Sequence, residues 1–71
     1  MPAPTAETCR QRAAEADKAA TETSLDKVRE RHLRARDSWL EMAERADRVA
    51  AMRDRIAAEK AAAKEAGAAD A

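Results

Sequence analysis

Aromatic residues and cysteine are scarce in this sequence, whose 71 residues contain no Phe or Tyr, one Trp and one Cys. A single cysteine excludes an internal disulfide, so the chain is expected in a reducing cytoplasm. The longest apolar runs are a few residues, mostly Ala, and residues 1–10 lack a basic region followed by an apolar core. We therefore expect neither a secretory signal nor a membrane span.

An excess of charge of one sign is also absent, because 14 Lys and Arg residues balance 14 Asp and Glu residues. No global field attracts the chain to nucleic acid or to anionic lipid. Overall charge therefore favours neither class of partner.

Large apolar side chains are few, because 21 of the 32 hydrophobic residues are Ala. After Met1, the large ones are Leu25, Val28, Leu33, Trp39, Leu40, Met42, Val49, Met52 and Ile56. Each contributes roughly 1.5 to 3 kcal/mol when fully buried, whereas ordering costs on the order of 1.5 kcal/mol per residue. We therefore expect contacts from a second chain to supply part of the stability.

The first predicted helix spans about residues 6–20 and follows a disordered lead, residues 1–5, in which two prolines disfavour helix. Thr5 offers a hydroxyl cap, and Glu7 lies in the first turn. Apolar positions then recur in steps of three and four, the spacing of one helix stripe. They are Ala6, Cys9, Ala13, Ala16 and Ala20.

The second predicted helix spans about residues 24–65, and its stripe also advances in steps of three and four. This stripe comprises Leu25, Val28, His32, Ala35, Trp39, Met42, Ala46 and Val49, and continues through Met52 and Ile56. A step of five separates Ala20 from Leu25 beside the hydroxyl-rich TETS, and Thr23 with Asp26 has capping-box spacing. We therefore predict a break at residues 21–24, with Gly67 as a C-cap and a frayed tail over residues 66–71.

These patterns predict an all-α fold, a two-helix antiparallel hairpin with coiled-coil-like packing in a single domain over residues 6–65. Trp39 lies in the middle of the long stripe and is expected to be its main anchor. Only the small residues of the first helix are available to face it. That helix is too short to cover the second one.

Two side chains that could act as a nucleophile, a base or a metal ligand are predicted to have packing roles instead. Cys9 is expected to be a buried packing residue, and His32 a polar residue within the stripe that sets register or oligomeric state. A metal bridged by Cys9 and His32 from two chains is disfavoured, because close ligand spacing is missing. Two helices do not readily form a catalytic pocket, so we predict no enzyme activity, no cofactor and no metal site.

The stretch KVRERHLRAR is the one local departure from charge balance. Its candidates for phosphate contact are Lys27, Arg29, Arg31, Arg34 and Arg36. The favoured interpretation is a solvated helix face, because these residues spread around the helix without an aromatic platform. A nucleic-acid-associated helper protein using residues 27–36 is the alternative function.

The segments CRQRAAEADKAA and VRERHLRARDSWLEMAERADRV, with the Thr-bearing joint between them, resemble a class of small uncharacterised bacterial helical-hairpin proteins. The resemblance covers roughly residues 9–50, and SWLEMAERADRV is its most distinctive part. The joint departs from the class in lacking Asp-Pro. The resemblance implies a helical hairpin and no known activity.

The predicted function is a non-enzymatic protein–protein interaction or structural module. Its partner would be a second copy of the chain, giving a homo-oligomer, or another helical protein, docked through the Trp39 stripe. The expected interface or core residues are Leu25, Val28, His32, Ala35, Trp39, Met42, Ala46, Val49, Ile56, Cys9, Ala13 and Ala16.

Overall fold

A computed structural model describes residues 3–70, with the backbone alone described at residues 69 and 70. Its described residues form two helices, α1 (Ala6–Glu22) and α2 (Asp26–Asp70), and no strand. The predicted all-α class is confirmed. Residues 1 and 2 of the expected lead and residue 71 of the expected tail lie outside the described part.

The start of α1 follows from its cap. Thr5 is extended, with φ −74° and ψ 161°, and its Oγ1 accepts a hydrogen bond from the backbone N–H of Thr8 at 3.1 Å. One of the four unpaired N–H groups at the helix start is thereby satisfied. The predicted cap at Thr5 is confirmed.

The end of α1 lies at Glu22, two residues beyond the predicted end at 20. Thr21 was expected to help break the helix. Its hydroxyl instead donates to the carbonyl of Asp17, one turn earlier, at 2.9 Å. This local bond satisfies the hydroxyl inside the helix, so Thr21 does not end it.

The joint differs from the predicted capping box. Thr23 is extended, and its Oγ1 accepts from the N–H of Leu25 at 3.2 Å rather than from that of Asp26. The first backbone bond of α2 runs from the N–H of Arg29 to the carbonyl of Leu25 at 2.9 Å. Helix α2 therefore begins at Asp26, two residues later than predicted.

Helix α1 lies alongside α2, because the molecule measures 70 × 17 × 17 Å and α2 alone is about 67 Å long at 1.5 Å per residue. Small residues fill the contact. The buried ones are Cys9, Ala13 and Ala20 on α1 and Ala43 on α2. Such side chains let two helix backbones approach closely, which is the contact predicted from the stripe of α1.

The far end of α2 continues to Asp70, past the predicted end at 65. Gly67 was predicted to cap the helix, but it lies within α2 and has no positive φ. The surrounding Ala, Glu and Lys residues have high helix propensity, which offsets a glycine cost of about 1 kcal/mol. Every described side chain from residue 47 to 68 is exposed.

Candidate functional site

Trp39 lies on the half of α2 that α1 covers, and it is half-buried. It lines a shallow groove together with Ala16 and Ala19 of α1 and His32 of α2. The indole therefore shares its groove with small residues of α1. Arg12 and Glu15, paired at 3.3 Å, also line this groove.

The face of α2 towards α1 comprises half-buried Val28, His32, Ala35 and Ala46 and the fully buried Ala43. On α1, Cys9 and Ala13 are buried and Ala16 is half-buried. Sequence reasoning missed Ala43 by continuing the stripe through Met42. The steps from Trp39 to Ala43 and on to Ala46 are also four and three, so a second path was present in the same pattern.

Four large apolar side chains of α2 are partly exposed to one side of this contact, and we call them the apolar row. They are Met42, Val49, Met52 and Ile56, with exposures of 37, 44, 54 and 44%. At 100° per residue they fall within about 80° of the helix circumference. The row is thus one continuous surface of α2.

Two causes place the row outside the covered face: α2 extends past the start of α1, since every described side chain from residue 47 to 68 is exposed, and a straight helix drifts. An ideal α-helix drifts about 20° per heptad relative to a 3.5-residue repeat. From Leu25 to Ile56 this amounts to about 90°, so the far end of the predicted stripe turns away from α1. Leu25, at the joint, is itself 63% exposed.

A groove of about 490 Å³ lies where the apolar row passes the start of α1. Pro4, Ala6 and Cys9 line one side, and Met42 and Val49 line the other. Arg45 and Arg53 of α2 also line it. The groove is mostly apolar and open to solvent, so it joins the exposed row to the covered core.

Two members of the basic segment bind α1 or neighbouring acids. Arg29 donates through Nε to the carbonyl of Ala20 at 3.2 Å and through a terminal nitrogen to that of Thr23 at 2.8 Å. Arg36 bonds Asp17 at 2.9 Å and Asp37 at 3.0 Å, and these bonds, that to Asp17 foremost, raise the pKa of its guanidinium. Sequence reasoning considered both arginines only as phosphate contacts.

Three other basic residues stay exposed: Lys27, Arg31 and Arg34. Within residues 3–70 they form no ion pair. Their spacing of four and three places them on one side of α2. The basic surface that the structure leaves open is therefore smaller than the five residues of the sequence suggested.

No family model, curated protein or solved structure matches this chain. The resemblance to small bacterial hairpin proteins therefore stays a prediction. Neither helix, over the residues that the structure describes, is long and apolar enough to cross a membrane.

Cys9 and His32 lie in different grooves, Cys9 beside Val49 and His32 beside Trp39. Cys9 is a free thiol that is 1% exposed. Among the described residues, no group of three His, Cys, Asp or Glu side chains could hold a metal ion. One chain therefore does not bring Cys9 and His32 together.

Proposed function

We propose that the chain is an antiparallel helical hairpin that acts as a non-enzymatic, helix-docking interaction module in the cytoplasm. Three contacts support the direction of the helices. Arg10 pairs with Asp47, Asp17 with Arg36, and Ala20 with Arg29. As the residue number on α1 rises, the residue number of its partner on α2 falls. Antiparallel packing produces this order.

The apolar row carries the proposal of helix docking. A large apolar side chain contributes roughly 1.5 to 3 kcal/mol when it moves from water into a packed contact. Contiguous exposed apolar surface usually marks a partner site. The row follows one side of a helix, so a second helix lying along it would cover all four side chains together.

The test compares two triple variants of the same helix. The row variant is Val49→Gln, Met52→Gln and Ile56→Gln; the control is Ala51→Gln, Ala58→Gln and Ala62→Gln, on the opposite side of α2. We expect the wild type and the control to associate in sedimentation velocity as concentration rises, and the row variant to remain monomeric with unchanged helical circular dichroism. A wild type that is monomeric at every concentration, or a row variant that still associates, would contradict the proposal.

One observation supports the alternative, nucleic-acid-associated function: Lys27, Arg31 and Arg34 form an exposed basic side of α2. Phosphate contacts weaken steeply as salt rises. A gel shift with the purified chain at low and high salt tests this alternative. Salt-sensitive binding that Arg31→Gln with Arg34→Gln abolishes would favour it over helix docking.

A further inference from the structure

We propose that the apolar row of this chain binds the same row of a second copy, antiparallel, with the two-fold axis passing close to Met52. This inference rests on the proposed helix-docking function and specifies its partner and geometry. It follows from the exposed area of the chain, from the position of one arginine within the row, and from the groove beside Val49.

The exposed area is large enough for such a partner. The chain exposes 6038 Å², whereas a compact monomer of 7.7 kDa exposes about 4,300 Å². The excess is about 1,700 Å² per chain, and a stable interface of standard size buries about 800 Å² on each partner. Pairing along the row would use roughly half of the excess.

Charge within the row determines the direction of the two helices. Arg45 lies three residues after Met42 and four before Val49, so its side chain shares the side of the row. In a parallel two-fold pair, equivalent residues meet, and Arg45 would face Arg45 of the second copy in the interface. An antiparallel pair separates the two arginines by about 20 Å at 1.5 Å per residue, which removes this repulsion.

The antiparallel register also gives Arg45 an acidic partner. With the axis at residue 52, paired residue numbers add to about 104, so Arg45 lies opposite Glu59 of the second copy and Val49 lies close to Ile56. Within its own chain, Glu59 lies 4.0 Å from Arg55, and both side chains are largely exposed. Glu59 is therefore accessible to a second guanidinium.

The groove beside Val49 receives a side chain in this arrangement. Ile56 of the second copy lies level with Val49, where the groove of about 490 Å³ is lined by Ala6, Met42 and Val49. Helix α1 borders the row only at Met42 and Val49, because its main contact is with the face of Trp39, Ala43 and Ala46, roughly 100° around the helix. Each copy keeps its own α1 contact.

The test uses distances between two copies of one labelled chain. In a Cys9→Ala background, Ala66→Cys carries a spin label, and Met52→Cys is oxidised in a separate sample. The antiparallel pair predicts a label separation of about 40 Å at residue 66, since this position lies 14 residues beyond the axis. It also predicts a disulfide-linked dimer at residue 52 and none for the matched control Ala58→Cys.

A separation at residue 66 near the interhelical distance of about 10 Å would indicate parallel helices and overturn this inference, leaving helix docking intact. Association that the row variant fails to abolish would overturn both the inference and the proposed function. A wild type that is monomeric at every concentration would do the same. Circular dichroism of each variant confirms that the helices are retained.

Discussion

Arg29 is expected to stabilise the joint, although it lies on α2. The last turn of α1 contains no basic residue, and its final carbonyls have no partner within the helix. The Arg29 guanidinium supplies both a charge and donors, bonding the carbonyls of Ala20 and Thr23 at 3.2 and 2.8 Å. It also lies 3.5 Å from Asp26. One side chain thus connects the end of α1 to the first turn of α2.

The magnitude follows from these contacts. Hydrogen bonds to charged groups contribute about 1.5 to 3 kcal/mol when buried, but the Arg29 side chain is 45% exposed. Exposure reduces the expected contribution of the two carbonyl bonds, so we expect Arg29→Met to lower the free energy of unfolding by about 1 to 2 kcal/mol. Met retains most of the apolar stem, so the change reports on the guanidinium.

Urea unfolding followed by circular dichroism at fixed protein concentration measures this change. The control is Arg31→Met, which removes an exposed arginine two positions away that forms no ion pair within the described residues. Surface changes of that kind stay within about 0.5 kcal/mol. Equal unfolding free energies for the Arg29→Met and Arg31→Met variants would refute the role assigned to Arg29.

Two further changes test the Trp39 groove and the N-terminal cap of α1. Trp39→Ala is expected to lower the free energy of unfolding by about 2 to 3 kcal/mol, less than the 3 to 5 kcal/mol of a fully buried indole, because Trp39 is half-buried. Thermal unfolding measures this change, with the exposed neighbour Leu40→Ala as the control. A loss no larger than that of Leu40→Ala would show that Trp39 does not anchor the contact. Thr5→Ala is expected to lower the free energy of unfolding by about 1 kcal/mol through loss of the cap, whereas Thr5→Ser keeps a hydroxyl and should retain most of that stability. Equal helical signals and unfolding midpoints for the wild type and both variants would contradict the role of the cap.

The sequence predicts α1 well because its determinants are local. Thr5 caps through a bond to Thr8, three residues on. The small stripe needs only the helix period to place Cys9 and Ala13 on one face, and both are buried. Local hydrogen bonds also explain why the predicted helix ends at the joint are wrong. The hydroxyls of Thr21 and Thr23 bond to partners other than those that the pattern suggested.

The sequence predicts the faces of the long helix less well, because a repeat of threes and fours does not stay on one face of a straight helix over its whole length. Helical drift over such a distance moves Val49 and Ile56 off the face that includes Trp39. The sequence also does not show which charged residues pair between the helices. The contacts of Arg36 with Asp17 and of Arg10 with Asp47 depend on the register of α1 along α2. Register is a tertiary property that neither helix sequence specifies alone.

The separation of Gln11 and Arg48 shows whether α1 folds back along α2. In the Cys9→Ala background, Gln11→Cys and Arg48→Cys carry spin labels, and an excess of unlabelled chain suppresses distances between molecules. The hairpin predicts a separation of about 20 Å or less, because neighbouring helices lie about 8 to 10 Å apart. One continuous helix would place these positions about 55 Å apart at 1.5 Å per residue. That result, or a short distance that disappears on dilution with unlabelled chain, would show that α1 does not fold back along α2 of its own chain.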